Sequence, residues 1–186
     1  MSIETVLAEA GDKMDKAIDV AREELASIRT GRAHPAMFAK LTAEYYGTPT
    51  PLNQIASVQI PEPRQVLISP YDKSAMGAIE RALRDSDLGV NPSNDGAVIR
   101  LSLPQLTEER RRDFVKLARG RAEDSRVSVR TIRRAAKEGL DRMVKDGDAG
   151  EDEVARAEKT LESTTKKHVD SIDDLLRRKE TELLEI

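Results

Sequence analysis

No proline occurs after Pro104. Downstream of it, small or apolar side chains recur at Phe114, Ala118, Ala122, Ser125, Val129, Ile132, Ala136, Leu140 and Met143, in steps of three and four. Thr107 can cap this pattern, Glu108 and Glu109 suit the positive end of a helix dipole, and Gly147 and Gly150 break it. The spacing predicts a helix of about 38 residues, roughly 57 Å long. A stripe of that length cannot be buried by the helix that carries it, so other helices must cover it.

Two more stripes exist. The first falls at Ile3, Leu7, Ala10, Met14, Ala17 and Ala21, then shifts register through Leu25 and Ile28, with Ser2 as N-cap, Glu4 in the first turn and Gly31 as a stop. The last runs through Val154, Ala157, Leu161, Thr165, His168, Ile172, Leu175 and Leu183. The economical arrangement is an α+β chain: a long antiparallel three-helix bundle formed by residues 1–30 and 105–186, with residues 31–104 inserted as a small β/α/β domain. That insert holds all eight prolines and balances seven bases against seven acids. Strands are expected near 40–46, 54–60, 65–70 and 97–103, a helix over Lys73 to Ser86, and a turn at Asp95-Gly96. Two short segments cross between the domains: Thr30, Gly31, Ala33 and His34 on one side, Leu103, Pro104, Gln105 and Leu106 on the other. Paired crossings of this kind form a hinge.

The net charge of −3 conceals an uneven distribution. Residues 105–144 carry twelve Lys/Arg against seven Asp/Glu, whereas residues 145–186 carry eight against thirteen. On a wheel of the long helix with Arg126 at zero, Arg112, Lys116, Arg119, Arg126, Arg130, Arg133, Arg134 and Lys137 fall between roughly −20° and +80°, and the apolar row centres about 100° away. The stripe is therefore expected beside the bundle seam and facing solvent, where guanidinium forks suit phosphate oxygens. The alternative is a solvated face whose arginines pair with the acidic last helix. The excess of bases, and runs such as Arg110-Arg111-Arg112 and Arg133-Arg134, favour an external polyanion. Aromatics make up only 3% of the chain, which argues for recognition of folded RNA by backbone and shape rather than by stacking.

Enzyme chemistry finds no foothold. Phosphate-loop, dinucleotide, zinc-protease and nucleophile-elbow motifs are missing, there is no cysteine, and no catalytic residue, metal ligand or cofactor is expected. Of the two histidines, His34 lies in a loop and His168 occupies an inward helical position as a structural imidazole. Tyr45 and Tyr46, adjacent on a strand, should point to opposite faces, one into the core and one outward. No stretch approaches the roughly 20 apolar residues that span a bilayer, and the opening residues form no signal-peptide core, so a cytoplasmic protein without membrane partners is expected.

Several strings taken together resemble the bacterial ribosome recycling factor family. They are Arg29-Thr30-Gly31-Arg32-Ala33 with Pro35; Glu44-Tyr45-Tyr46-Gly47-Thr48-Pro49-Thr50-Pro51-Leu52; Asp87-Leu88-Gly89-Val90-Asn91-Pro92; Leu103-Pro104 with Leu106-Thr107-Glu108-Glu109-Arg110-Arg111; and Val129-Arg130 with Ile132-Arg133-Arg134. The resemblance covers essentially the whole chain. It implies an L-shaped monomer that is not an enzyme. Such a factor binds the 70S post-termination ribosome through 50S large-subunit rRNA. With elongation factor G and GTP it splits the ribosome into subunits, freeing mRNA and deacylated tRNA, while its second domain reaches toward the small subunit and the GTPase. It also implies that Arg29, Arg32, Arg111, Arg130 and Arg133 contact rRNA, of which the wheel independently selects the last two. An RNA-binding protein that needs no GTPase, and a coiled-coil adaptor for a helical protein, are the competing classes.

Overall fold

The Ser2 side chain accepts the Thr5 N–H at 3.1 Å and so caps the first helix, α1 (Ile3–Ala26). The computed structural model describes residues 2–185, which divide into two units, one comprising the described residues up to Arg29 and from Glu108 onward, the other Thr30–Thr107. In the second unit, β1 (Thr42–Tyr45) and β2 (Thr48–Pro51) form a hairpin. A single helical turn α2 (Leu52–Ile55), β3 (Ala56–Glu62), β4 (Gln65–Pro70), α3 (Met76–Arg84), β5 (Ser93–Asn94) and β6 (Ile99–Ser102) follow. The first unit is completed by α4 (Glu108–Lys145) and α5 (Glu151–Leu184).

The 38 residues of α4 match the length expected from periodicity. It ends in a reversal in which Gly147 adopts φ +76, its N–H reaching Val144 O and that of Asp148 reaching Met143 O. Gly150 starts α5, and the Glu153 carboxylate accepts the Gly150 N–H at 3.3 Å. Arg121 pairs with Glu24, and a Cβ placed on Gly139 would meet Val6, so α1 and α4 run antiparallel. His168 meets Asp15 while Leu183 and Leu25 share a cluster, so α1 and α5 run parallel.

The bundle core is aliphatic. Met14, Ala122, Val129, Leu140 and Ile172 are sealed from solvent, and a smaller cluster holds Leu25, Ile28, Ala118 and Leu183. The α1 stripe differs from the expected one: the buried row is Val6, Ala10, Met14, Ile18, Ala21 and Leu25, with Ile3, Leu7 and Ala17 half-buried beside it. Because α1 packs against both α4 and α5, its apolar sector is roughly 120° wide, and a narrow row of alternating threes and fours undercounts it. On α5, His168 is half-buried as a bridge, its two ring nitrogens 2.6 Å from Asp15 Oδ1 and 2.7 Å from Thr164 O. Lys179 is buried at an inward position of the α5 stripe, four residues from both Leu175 and Leu183, that a reading of apolar side chains passes over because it holds a lysine; its ammonium is 3.4 Å from Glu182.

In the second unit, β3, β4, β6 and β5 form one antiparallel sheet in that spatial order. Ile79 and Leu83 of α3 join Val66, Ile68, Ile99 and Leu101 in a core separate from that of the bundle. The expected turn is present: Asp95 Oδ1 accepts the N–H groups of Ala97 and Val98, each at 3.0 Å, and Gly96 takes φ +90. Those two amides hold the Asp95 carboxyl below its ordinary value.

The β1–β2 hairpin corrects the sequence reading. β2 was not expected, since Pro49 and Pro51 argue against a strand, but the hairpin is a separate two-stranded sheet in which proline is tolerated. Tyr46 lies in the turn rather than on the strand, with φ +50, next to Gly47 at φ +76. The two tyrosines therefore do not part to opposite faces. Tyr45 is half-buried and Tyr46 is exposed, yet their rings meet edge to face at 4.5 Å and both hydroxyls donate to Asp72 Oδ2, at 3.0 and 3.4 Å. The hydrogen bond to Asp72 is the main reason the Tyr45 phenol is pushed up to about 12. β5 and α2 were also unexpected, and the segment read as one helix over Lys73 to Ser86 is a 3₁₀ turn, Lys73–Ala75, leading into the shorter α3.

Leu140→Ala and Ile172→Ala, at fully buried sites, should each cost about 2–5 kcal/mol in urea unfolding. Because the folded Asp95 value is depressed from 3.8, its contribution is complete above about pH 4 and is lost as pH falls through the lowered value. Asp95→Ala should lower the melting temperature near neutrality and flatten its acid dependence below about pH 4.

Candidate nucleic-acid interface

The basic residues of α4 sort by the partners they meet. Those nearest the α5 seam, Arg119, Arg126 and Arg133, stand seven residues apart and each meets a carboxylate of α5. Arg119 Nε is 2.6 Å from Glu180, Arg126 grips Asp173 through Nε at 2.8 Å and Nη2 at 2.6 Å, and Arg133 Nε is 2.6 Å from Glu162. Two turns forward on α4 from Arg119 matches two turns back on α5, which is antiparallel register. Two turns beyond Asp173 that register presents Lys166, a cation, so Arg133 reaches a further turn to Glu162.

The stripe expected to face solvent does so except at Arg126 and Arg133, which are only partly accessible, and Arg119 is exposed although paired. For Arg119, Arg126 and Arg133 the alternative weighed from the sequence, pairing with the acidic last helix, is what the structure shows. Their exposure differs: the Arg126 side chain is 18% accessible, Arg133 37% and Arg119 65%. Burial works against the Arg126 charge, but hydrogen bonds to Asp173 and Glu123 outweigh it and raise its pKa.

Farther from the seam, Arg112 pairs with Glu108 and Arg130 with Glu123, both acids of α4 itself. Lys116, Arg134 and Lys137 are exposed and make no ion pair with a described residue. Arg111 is half-buried near the start of α4, in the angular sector of the apolar row. Arg29 and Arg32 are exposed and fall in different units. The residues read as a hinge all belong to the second unit. Ala33 N–H donates to Pro63 O at 2.6 Å, Leu103 N–H to Arg64 O at 2.8 Å, and Ala36 N–H to His34 Nδ1 at 3.1 Å. A Cβ on Gly31, at φ +77, would stand 3.2 Å from the Leu106 side chain. The smaller unit thus extends one residue before and three residues beyond the expected insert of 31–104.

Of the carboxylates that organise this edge, the sequence marks Glu123, with Asp141, as an interruption of the stripe and reads Asp173 as part of a solvated helix surface, while Glu162 and Glu180 are not singled out. Glu123 falls within the stripe's own angular sector, but the α5 acids become visible only once the helix register is known. Among the described residues no helix is long and apolar enough to cross a membrane.

Residues 21–184 match the family model described as ribosome recycling factor. The ribosome-recycling factor of Beutenbergia cavernae is 66% identical over 184 residues, which is 99% of this chain and all of that protein. The chain belongs to the ribosome recycling factor family. The Streptomyces coelicolor family member is 60% identical over the same span. Among solved structures, a solution structure of a ribosome recycling factor has TM-score 0.81 at 39% identity, covering 100% of this chain and 99% of that one. A second neighbour, the T. thermophilus factor in a structural model with E. coli elongation factor G bound to the E. coli post-termination complex, has TM-score 0.67 at 44% identity with both chains fully covered. The fold class expected from the sequence, a three-helix bundle with a small inserted β-containing domain, is the one these family members share.

Arg126→Ala removes a charge held by two carboxylates and should lower stability by about 2 kcal/mol, whereas Arg134→Ala should change it by less than about 0.5 kcal/mol. Urea unfolding of the two variants side by side checks the division between seam and outer edge.

Proposed function

We propose that this chain binds the 70S post-termination ribosome as a monomer, lays the outer edge of α4 on 50S large-subunit rRNA, and with elongation factor G and GTP splits the ribosome into subunits. mRNA and deacylated tRNA are then free for a new round of translation. The observation that carries this reading is the row of exposed cations Lys116, Arg134 and Lys137, flanked by Arg112 and Arg130, on a long helix in a member of this family. Phosphate oxygens can pair with these groups without breaking the seam that holds α4 to α5. Arg29, Arg32 and Arg111 extend the contact in this reading. The paired guanidinium groups of Arg119, Arg126 and Arg133 contribute with whatever N–H groups their carboxylates leave open.

The smaller unit takes the push. Its core is independent of the bundle core, and the chain passes between the two units twice, so it can act as a body that receives force from the GTPase and meets the small subunit. The segments Thr30 to His34 and Leu103 to Leu106 belong to that moving body, and flexing concentrates at the crossings beside them. The factor itself carries out no chemistry. The energy comes from the partner's nucleotide cycle, and the work takes place in the cytoplasm, where ribosomes are.

Support comes from the family match and from the neighbour whose structure is that of a recycling factor with elongation factor G on a post-termination complex. Replacing Lys116, Arg134 and Lys137 together by alanine should weaken binding to large subunits and reduce the slope of log affinity against log salt by about 2 to 3. The melting temperature should hardly move. Subunit splitting followed by light scattering with elongation factor G and GTP should fall in parallel; unaltered binding would remove α4 as the contact surface.

A further inference from the structure

The outer edge of α4 contains an acid at a position where a plain electrostatic track for a polyanion would have none. Glu123 has one carboxylate oxygen on each of two guanidinium groups: Oε2 accepts from Arg126 Nη1 at 3.0 Å and Oε1 from Arg130 Nη1 at 3.2 Å. Hydrogen bonds from Arg126, then from Arg130, hold its carboxyl below the ordinary range. Arg126 is itself fixed from the other helix, with two of its N–H groups on Asp173. The result is a chain of contacts, Asp173 to Arg126 to Glu123 to Arg130, that starts on α5 and ends at an exposed arginine two helical turns from Glu123.

We infer that Glu123 is a positioning residue for the nucleic-acid contact, holding the Arg130 side chain along the α4 edge with most of its N–H groups still open. The inference rests on the rRNA-binding reading above. A free arginine side chain has many rotamers, and ordering it on binding opposes association; a guanidinium already anchored at one nitrogen has lost that freedom in the unbound factor. Arg126 does not need Glu123 for its own pairing, because Asp173 already holds it by two N–H groups. Arg130 has no other acidic partner among the described residues. Glu123 therefore acts on the one arginine of this group that can still move.

The inference predicts a sign opposite to simple electrostatics. Removing a negative charge from a surface that binds phosphate should tighten binding, whereas removing the anchor should loosen it. Purified large ribosomal subunits serve as the probe, titrated with full-length protein at fixed salt. Glu123→Gln should weaken binding about two- to tenfold. Glu123→Asp, which keeps the charge but is one methylene too short to span the same two guanidinium groups, should weaken it similarly. In an Arg130→Ala background neither substitution should weaken binding further. Glu123 is exposed, so both variants should melt like the unaltered chain. Tighter binding by Glu123→Gln, or the same loss with and without Arg130, would overturn the inference while leaving the RNA reading in place. Arg130→Ala binding as well as the unaltered chain would also overturn the inference, since Glu123 would then have no contact to position, whereas the RNA reading falls only if the Lys116, Arg134 and Lys137 triple variant binds unaltered.

Discussion

A guanidinium group has five N–H donors in a fixed plane, so a carboxylate that takes two of them leaves the rest available. That stoichiometry governs the bundle. Arg119, Arg126 and Arg133 clamp α4 to α5 at two-turn intervals, and they do so from the flank of the seam rather than from its aliphatic interior. The exposed Arg119 pair contributes little stability by itself, whereas Arg126, at 18% accessibility and held by two carboxylates, contributes more. Their consequence is pairing specificity: Arg119 with Glu180 and Arg126 with Asp173 match in the observed antiparallel register of α4 and α5.

With register fixed, the cations of α4 divide by which carboxylates come within reach. Cations nearest the seam belong to the bundle, those a little farther out pair with acids of their own helix, and Lys116, Arg134 and Lys137 remain open. The smaller unit follows a different logic. Its sheet and α3 enclose a core of isoleucine, leucine and valine, and its turns are held by Asp72 and Asp95 accepting backbone N–H groups. A bundle that keeps its shape while gripping, and a compact attachment with a core of its own, fit a protein that transmits force.

The helices were legible from the chain because their signals are local. Ser2 as a cap, the reversal at Gly147 and the full length of α4 follow from spacing and dipole complementarity. The small unit was legible only in part. A strand containing Pro49 and Pro51 reads as a loop until it is known to be a lone hairpin, and a tyrosine at positive φ is not anticipated when asparagine or glycine would serve the turn better. The basic edge could be located on a wheel, but its division into paired and open groups depends on which α5 residue faces which α4 residue. Tertiary register, not periodicity, sets that division. Lys179 is a different case: the spacing of Ile172, Leu175 and Leu183 puts position 179 on the inward row, and only the charge of its side chain hid it.

The most direct measurement of the central claim is a lysine footprint. The protein is treated with an amine-acylating reagent, alone and in complex with large ribosomal subunits, and each lysine is quantified by mass spectrometry. Lys116 and Lys137 should be protected in the complex, while Lys13 and Lys16, exposed on α1, should react as they do in the free protein. Protection of the α1 lysines with Lys116 and Lys137 left fully reactive would contradict the account.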